Sequence, residues 1–335
     1  MRIFISGAAG FLGSHIADYF LNQGHDVVGC DNLFGGSLDN VNPMVQFFRH
    51  DITKIDNFSN LMTGCDVVYH CAALAYEGLS LFSPSLICEN IFTGSVNTFT
   101  AAIQANVKRI VYCSSMARYG TNQTPFKETY VPVPQDPYGI AKEAAERVLA
   151  NLCEHHKVEY VIAVPHNIYG PKQYFYDPYR NVAAIFANAM LLNKQPIIYG
   201  DGSQIRSFSY ISDCVEPLAN MATQENVIGE IINIGPDDNE ITINELYNKI
   251  ANIIGFNQQP IYMNGRPGEV KIAHSSADKA RKLLNYKTKV SLDDGLSHLI
   301  NWIDNIGAKS FNYDKMILEI ITDDTPKNWT DKLLK

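Results

Sequence analysis

Three glycines, Gly7, Gly10 and Gly13, stand directly after the first apolar run of the chain and directly before a stretch with helical spacing. Glycines at this spacing let the backbone turn tightly and let a phosphate group approach it closely at the N-terminus of the following helix. The motif alone is a weak signal, because glycine-rich turns also simply end strands. Between a strand and a helix, however, it predicts a dinucleotide-binding α/β fold.

Short apolar runs alternate with helical stretches through the first half of the chain. This alternation indicates a parallel sheet covered by helices on both faces, so the predicted fold class is α/β with a Rossmann-like doubly wound sheet. The predicted strands are Ile3–Ser6, Asp26–Cys30, Val45–Phe48, Val67–His70, Arg109–Cys113, Tyr160–Val164 and, much later in the chain, Glu230–Ile234. The predicted helices between the first six are Leu12–Asn22, Leu86–Gln104 and Gly139–His155.

Asp31 ends the second predicted strand, eighteen residues after Gly13. A carboxylate at this point accepts hydrogen bonds from the ribose hydroxyls of adenosine and repels a 2′-phosphate. No Arg or Lys follows within residues 32–42 to bind such a phosphate. The two observations together predict NAD rather than NADP as the cofactor.

Small and polar residues also follow the third and fourth predicted strands. Asp51 is placed to accept a hydrogen bond from the adenine amino group or to cap a helix, and the two roles are compatible. Ala72 and Ala73 are small enough to let a cofactor lie against the backbone. His70, directly before them, is expected to be a hydrogen-bonded strand-end residue rather than an acid or a base.

Tyr138 and Lys142 lie four residues apart at the predicted start of a helix, which puts them on one helix face. A tyrosine hydroxyl titrates near ~10 unaided, so it needs a nearby ammonium group to act as a base at neutral pH. This spacing is common by chance and usually marks a surface pair. Ser114 and Ser115 strengthen it, because they end the fifth predicted strand, where cofactor-facing residues of a doubly wound sheet belong.

The regular alternation of apolar runs and helical stretches ends at about residue 170. Residues 1–170 are predicted to form an NAD-binding Rossmann domain, to which the strand near residues 230–234 returns. Residues 171–309 are predicted to form a smaller C-terminal α/β substrate lobe, and the tail at 310–335 has no clear periodicity and no assigned role. The predicted elements of the lobe are the helices Val182–Leu192, Asn244–Ile254 and Ser276–Leu284 and a hairpin-like turn at Gly200–Gly202.

The chain carries a formal net charge of −8, with 46% hydrophobic and 19% charged residues. An acidic chain argues against non-specific binding to nucleic acid or to a membrane surface, because both need a basic field. The seven cysteines are scattered and never spaced as CxxC, which is typical of buried reduced thiols rather than of disulfides or a metal site. With neither a signal peptide nor a membrane-spanning stretch apparent, a cytoplasmic globular enzyme is expected.

In its ordered motifs the chain resembles the extended short-chain dehydrogenase/reductase superfamily. Within it, the chain is similar to the NAD-dependent nucleotide-sugar epimerase/dehydratase family that includes UDP-glucose 4-epimerase. The resemblance covers roughly Met1 to Trp302. The matching residues are Gly7–Gly13, Asp31–Asn32, Asp51–Ile52, His70–Ala73, Asn90 with Gly94, Ser114–Ser115 with Tyr119–Gly120, Tyr138 with Lys142, Asn167 with Tyr169–Pro171, Gly200–Gly202 with Arg206, and Arg266–Glu269.

The motifs and the resemblance together imply three sets of site residues. The catalytic set is Ser115, Tyr138 and Lys142. The NAD-binding set is Gly7, Gly10, Phe11, Leu12, Gly13, Asp31, Asn32, Ser37, Asp51, Ile52, Ala72, Ala73, Asn90, Ser114, Tyr138, Lys142 and His166. The set for the nucleotide-sugar, held mostly by the second lobe, is Ser115, Asn167, Asn181, Ile197, Tyr199, Arg206, Arg266 and Glu269.

The activity that the resemblance implies is epimerisation at C4 of a UDP-hexose or UDP-hexuronate through a transient 4-keto sugar. Tyr138 would take the proton of the C4 hydroxyl, and Ser115 would hydrogen-bond the reacting oxygen. One alternative is a nucleotide-sugar 4-dehydrogenase that releases a keto-sugar and NADH. An alternative of another class is a non-catalytic dinucleotide-binding sensor or scaffold. Ala117 stands where related dehydratases carry an acidic residue, which disfavours elimination and decarboxylation.

Two positions depart from the family pattern. His166 replaces an aromatic residue and is expected either to hydrogen-bond the nicotinamide carboxamide or to be a buried histidine with satisfied hydrogen bonds. Arg118 is expected either to stay on the surface or to reach a carboxylate of the substrate. The resemblance also implies a homodimer, with the helices predicted at Leu86–Gln104 and Gly139–His155 in the interface.

Overall fold

The computed structural model describes every residue from Met1 to Lys335. At its centre lies one parallel sheet whose strands are β1 (Arg2–Ser6), β2 (Asp26–Asp31), β3 (Gln46–Arg49), β4 (Val67–His70), β5 (Arg109–Cys113), β6 (Glu159–Pro165) and β11 (Ile231–Ile234). The seven strands lie in the order β3–β2–β1–β4–β5–β6–β11, so the predicted Rossmann-like sheet and its late-returning strand are confirmed. Because the strand order reverses between β1 and β4, a crevice opens there beyond the carboxyl ends of the strands.

Helices cover both faces of this sheet, and further helices belong to the second lobe and the C-terminal tail. The helices of the chain are α1 (Phe11–Asn22), α2 (Pro84–Cys88), α3 (Gly94–Gln104), α4 (Pro137–His156), α5 (Val182–Leu191), α6 (Ile211–Asn220), α7 (Ile243–Ile254), α8 (Asp278–Leu284), α9 (Leu292–Ile306) and α10 (Lys327–Thr330). In β1, Ile3 and Ile5 join the core under α1 and α6, whereas Phe4 joins the core under α3 and α4. This alternation follows from the two-residue period of a strand buried on both faces. No helix here combines the length and hydrophobicity that crossing a bilayer requires.

The helical stretch predicted over Leu86–Gln104 is confirmed, but it contains a feature that the sequence did not indicate. A π-helical turn at Glu89–Thr93 lies between α2 and α3. Within that turn, Asn90 Nδ2 donates a hydrogen bond to Leu86 O at 2.9 Å. A π-turn inserts one extra residue and changes which side chains share a face, a device that recurs at functional sites.

The second lobe contains short strands in three small sheets. These strands are β7 (Ile168–Tyr169), β8 (Ile197–Tyr199), β9 (Ile205–Ser207), β10 (Ser209–Tyr210), β12 (Glu240–Thr242), β13 (Ile261–Met263) and β14 (Ile272–Ala273). Strand β8 pairs with β13, and β9 pairs with β12 and β14, so the hairpin predicted at Gly200–Gly202 is wrong. Asp201 closes the turn by accepting the N–H of Ser203 at 2.9 Å, and no cross-strand pairing is needed.

Helices α5, α7 and α9 pack around one apolar core of the second lobe that includes Phe186, Leu246 and Leu299. The sheet of the first lobe ends, along the chain, with β6 at Pro165 and is completed only by β11. We propose that the first lobe ends at residue 170 and that the second lobe ends at residue 309.

Candidate active site

A cavity of about 470 Å³ opens at the carboxyl ends of the sheet strands, between the two lobes. From the predicted cofactor set its walls contain Gly7, Gly10, Phe11, Leu12, Gly13, Asp31, Asn32, Ile52, Ala72, Ala73, Asn90, Ser114, Tyr138 and Lys142. From the predicted substrate set they contain Ser115, Asn167, Asn181, Ile197, Tyr199, Arg206, Arg266 and Glu269. One continuous space therefore brings both sets together, whereas Ser37, Asp51 and His166 lie outside its walls.

The glycine turn after β1 leaves bare backbone facing this cavity. Gly7 has φ +76°, and a Cβ atom there would lie 2.7 Å from the backbone nitrogen of Ala72. A Cβ atom on Gly13 would lie 2.2 Å from the carbonyl oxygen of Gly7. Both positions thus exclude any side chain, and the helix N-terminus behind them fits a pyrophosphate.

Asp31 stands at the end of β2 on the same wall. Its Oδ1 accepts the N–H of Leu33 at 2.8 Å, and its Oδ2 accepts the N–H of Ala9 at 3.2 Å. Burial raises the pKa of Asp31, while these backbone N–H groups oppose the rise. Each carboxylate oxygen keeps accepting capacity, so the residues present fit the ribose of an adenine dinucleotide.

Ser37 and Asp51, which lie outside the cavity walls, form hydrogen bonds within their own loops. Ser37 caps the short 3₁₀ turn Leu38–Asn40, and its hydroxyl donates to Asp39 Oδ2 at 3.1 Å. Gly35 and Gly36 line the cavity in its place, which the sequence analysis missed. The predicted contact of Ser37 with the cofactor therefore has no support in this geometry.

Asp51 forms a local turn rather than a helix cap. Its Oδ1 accepts from both the N–H and the hydroxyl of Thr53 at 2.9 Å, and its Oδ2 accepts from Asn32 at 3.3 Å. No helix begins at Asp51, because the next helical element is the 3₁₀ turn Phe58–Met62. The capping role is thus wrong, and the adenine contact stays a prediction.

His166 is buried in the protein interior. Its Nε2 lies 3.1 Å from the carbonyl oxygen of Pro236, and its ring packs against the bare Cα of Gly235. Burial lowers the pKa of His166 to about 4, so the imidazole is neutral and Nε2 donates. His166 is thus a buried histidine that does not line the cavity, but its hydrogen bonds are satisfied at Nε2 only, because Nδ1 has no partner in the protein. The hydrogen bond with the nicotinamide carboxamide stays a prediction.

Tyr138 is held by the start of α4. Asp136 caps this helix, accepting the N–H of Gly139 at 2.9 Å, and Pro137 occupies the first helical position, where its missing N–H is not needed. Ser115 begins the neighbouring 3₁₀ turn, where its Oγ accepts the N–H of Ala117 at 3.2 Å. Burial raises the pKa of Tyr138 above its ordinary value, and hydrogen bonding to Ser115 opposes the rise.

Lys142 follows on the same helix face, as predicted, but its ammonium group is anchored elsewhere. Lys142 Nζ donates to the carbonyl oxygen of Cys113 at 2.7 Å and lies 4.8 Å from the centre of the Tyr112 ring. Burial lowers the pKa of Lys142 to about 8. The charged groups that act most on Tyr138 are instead Glu77, Asp136 and Arg180.

Arg118 follows neither of the two expectations from the sequence. It is 3% exposed and pairs with Glu146 of α4, with 2.9 Å between Arg118 Nη2 and Glu146 Oε2. Ser114 donates its hydroxyl proton to the other oxygen of Glu146. The pair lies behind Tyr138 and Lys142 and ties the end of β5 to the helix that carries them.

Two arginines converge on another part of the cavity wall. Arg266 Nη2 lies 2.8 Å from Glu269 Oε1, and Arg206 Nη2 lies 3.8 Å from the same oxygen. The guanidinium of Arg266 also lies over the Tyr199 ring at 4.9 Å. One carboxylate thus faces two guanidinium groups, which leaves positive charge suited to a diphosphate.

The N-terminus of α5 also faces the cavity. Asn181 precedes this helix with φ +65°, and its side chain makes no capping hydrogen bond. Asn167 nearby donates from Nδ2 to the carbonyl oxygen of Ser207 at 2.8 Å. The free N–H groups of α5 therefore add to the positive charge of the cavity wall.

The C-terminal tail also closes the cavity, which the sequence analysis missed. Asn328, Trp329 and Leu334 line its wall. Tyr313 donates its hydroxyl proton to Asn328 Oδ1 at 2.7 Å, and Lys194 Nζ lies 3.1 Å from the carbonyl oxygen of Leu334. The buried aromatic residues of the tail are irregularly spaced, so they gave no periodic signal.

Comparison with known proteins decides the family. A model of the NAD dependent epimerase/dehydratase family matches residues 3–235. The chain belongs to this family. A putative UDP-glucose 4-epimerase of Methanocaldococcus jannaschii is 34% identical over 312 residues, covering 90% of this chain and 98% of the relative.

Two solved structures place the whole epimerase/dehydratase architecture on this chain. UDP-glucose 4-epimerase from Thermotoga maritima, crystallised with UDP-glucose, has a TM-score of 0.87 at 30% identity and covers 91% of this chain and 99% of its own. UDP-glucuronic acid 4-epimerase from Bacillus cereus, in complex with UDP-glucuronic acid and NAD, has a TM-score of 0.85 at 31% identity and covers 92% and 100%. NAD is the cofactor of this family, and the bare glycine turn and Asp31 fit it.

Proposed function

We propose that this protein is an NAD-dependent UDP-sugar 4-epimerase. The observation that carries the proposal is one cavity whose walls contain Tyr138 and Ser115 together with Arg206 and Arg266. A sugar diphosphate held by the arginines extends its ring towards the tyrosine. Several relatives of the chain are named as UDP-sugar 4-epimerases and others as UDP-sugar decarboxylases, and UDP is adopted from them.

Tyr138 is the acid and base of the proposed reaction. Its tyrosinate removes the proton of the C4 hydroxyl, and Ser115 hydrogen-bonds the oxygen as it becomes a carbonyl. NAD, when bound, supplies reversible hydride exchange at that carbon and positive charge beside Tyr138. This charge is needed because burial raises the pKa of the tyrosine. After the 4-keto sugar presents its other face, Tyr138 returns the proton to the oxygen.

The turn after Ser115 favours this chemistry over elimination, because it lacks the acidic residue that related dehydratases carry there. Ala117 follows Ser115 on the 3₁₀ turn and offers only a methyl group, 6% exposed. Lys142 holds an ammonium beside the end of β5, where it strengthens the local positive potential. Neither side chain provides a carboxylate that could remove a second proton from the sugar.

The proposal is tested with the enzyme as purified and no added NAD. UDP-glucose, UDP-N-acetylglucosamine and UDP-glucuronate are incubated separately and followed by NMR. Interconversion of at least one of them with its C4 epimer is expected, without accumulation of NADH. Stoichiometric NADH would identify a dehydrogenase, and UDP binding without turnover of any sugar would identify a sensor; either outcome contradicts the proposal.

The homodimer and the cytoplasmic location also stay proposals. Helices α3 and α4 pack against each other, and Ile140 of α4 is 53% exposed on the outer side. The homodimer is carried by the resemblance to the family, and the exposed face of α4 is where we propose the contact with a second copy. All seven cysteines are free thiols, which supports a reducing compartment.

A further inference from the structure

Four acidic side chains line the cavity, and three of them are matched by partners within the protein. Asp31 accepts two backbone N–H groups, and Asp136 accepts the N–H of Gly139 and the hydroxyl of Ser80. Glu269 is paired with both arginines. The fourth, Glu77, accepts no hydrogen bond with its carboxylate and forms no ion pair.

The position of Glu77 is fixed by its neighbours in the chain. Tyr76 is buried and donates its hydroxyl proton to Asp177 Oδ2 at 2.6 Å. The carbonyl oxygen of Glu77 accepts the hydroxyl of Ser80 at 2.6 Å. A backbone held on both sides presents the Glu77 side chain to the cavity, so the carboxylate is preorganised for a ligand.

The carboxylate of Glu77 is exposed to the cavity and available to a ligand that donates hydrogen bonds. Burial raises its pKa to about 7, with Asp136 adding to the rise and Arg206 and Arg266 opposing it. A ligand that fills the cavity displaces water from this carboxylate and must then supply hydrogen-bond donors in its place. Hydroxyl and amide N–H groups are such donors.

Glu77 lies where the sugar ring must lie if the proposed function holds. A Cβ atom on the next residue, Gly78, would lie 3.4 Å from Arg266 Nη1, which places this loop beside the diphosphate end. On the other side, the charge of Glu77 acts on Tyr138. A residue between the diphosphate arginine and the reacting tyrosine is beside the pyranose, because C1 bears the diphosphate and C4 reacts.

We propose that the carboxylate of Glu77 accepts hydrogen bonds from the sugar and selects an uncharged hexose or N-acylhexosamine over a hexuronate. This inference rests on the proposed function and names its substrate class. A hexuronate would bring a second carboxylate beside Glu77, and like charges in a cavity of low polarity repel. Arg180 also lines the cavity, 3.8 Å from Asp177 and over the Tyr76 ring at 5.0 Å, and its Nε has no hydrogen-bond partner in the protein. A preference for the hexuronate is therefore the result expected if Arg180 rather than Glu77 dominates the selection.

UDP-glucose and UDP-glucuronate make a matched test, because they differ only in having a hydroxymethyl or a carboxylate group at C5. Wild-type enzyme is expected to turn over UDP-glucose or UDP-N-acetylglucosamine with kcat/KM at least about 10-fold above that for UDP-glucuronate. In Glu77→Gln, kcat/KM for the uncharged sugar is expected to fall about 10-fold, mainly through KM, and the gap to UDP-glucuronate to close. Affinity for UDP alone should not change.

Two further variants separate selection from folding. Glu225→Gln removes the same charge at an exposed site away from the cavity and should match wild type. Glu77→Asp keeps the charge and should still discriminate against UDP-glucuronate while binding the uncharged sugar more weakly. Wild-type preference for UDP-glucuronate, or an unchanged preference in Glu77→Gln, overturns the inference and leaves the epimerase proposal standing. Failure of every UDP-sugar to react overturns the epimerase proposal itself.

Discussion

Arg118 and Glu146 form a buried ion pair, 2.9 Å apart, with side chains 4% and 5% exposed. The pair joins the turn that begins at Ser115 to the helix that carries Tyr138 and Lys142. Removal of one partner leaves the other charge buried without compensation, which is far more costly than losing the pair as a whole. The ion pair is therefore a structural tie behind the reacting groups.

Arg118→Met is expected to lower the free energy of unfolding by about 3–5 kcal/mol, because Glu146 is then buried alone. The measurement is urea denaturation followed by circular dichroism. Arg147→Met is the matched control, because Arg147 pairs with Glu143 on the same helix at 73% exposure and should cost less than about 0.5 kcal/mol. The double variant Arg118→Met with Glu146→Gln should recover part of the lost free energy of unfolding. Equal losses for Arg118→Met and Arg147→Met would contradict a structural role of the Arg118–Glu146 ion pair.

The strands and the glycine turn could be predicted from sequence because each depends on a local pattern. Apolar runs of strand length marked the sheet, and Gly7 and Gly13 marked the turn. The Arg118–Glu146 pair could not be predicted in this way, since its partners are 28 residues apart and only the packing of α4 brings them together. The same holds for Glu77, which looks like an ordinary loop residue until the cavity surrounds it.

The surroundings of His166 could not be predicted from the sequence either, because its hydrogen-bond partner is distant in the chain. The carbonyl oxygen of Pro236 is seventy residues away in the chain and accepts the hydrogen bond from its ring. Likewise, the tail at 310–335 has no periodic pattern because it folds against both lobes rather than as a regular element. Its contribution to the cavity is set by tertiary contacts alone.

His166 makes the stability of the fold sensitive to acid. The imidazole binds a proton in the unfolded chain below pH ~6.5, whereas burial lowers its pKa in the folded protein to about 4. Between these values the unfolded state binds more protons, so stability is full above pH ~6.5 and falls as the pH is lowered to ~4, by about 3 kcal/mol in all.

His166→Phe removes this titration and should flatten the pH dependence of unfolding over the same window relative to wild type. It also loses the hydrogen bond to Pro236, so its stability at neutral pH should be lower by about 1 kcal/mol. NAD content and turnover should stay close to wild type. Loss of NAD from this variant would show that His166 contacts the cofactor after all.

The two tryptophans report differently on the cavity. Trp329 lines its wall, whereas Trp302 packs on α9 with its ring 5.5 Å from that of Phe175 and away from the cavity. UDP binding is therefore expected to change the tryptophan fluorescence of wild type. The same change is expected in Trp302→Phe, because Trp329 remains in this variant. In Trp329→Phe the change should be lost, and a preserved change would place the tail away from the ligand.

Tyr138→Phe should reduce kcat by about 100- to 10,000-fold, because the variant has no group to exchange the proton of the C4 hydroxyl. The affinity for UDP should stay within about twofold of wild type. Tyr286→Phe is the control: Tyr286 is buried, but its hydroxyl has no hydrogen-bond partner and does not line the cavity. Equal turnover in Tyr138→Phe and wild type would exclude Tyr138 as the acid and base.

The proposed reaction is tested most directly by following an isotope at the reacting carbon. A UDP-sugar deuterated at C4, taken from whichever substrate the enzyme turns over, is converted in ordinary water and the product is examined by NMR. The product is expected to be the C4 epimer and to keep its deuterium at C4, without accumulation of reduced nicotinamide. Deuterium lost to solvent, or an epimer formed at another carbon, would contradict the proposed reaction.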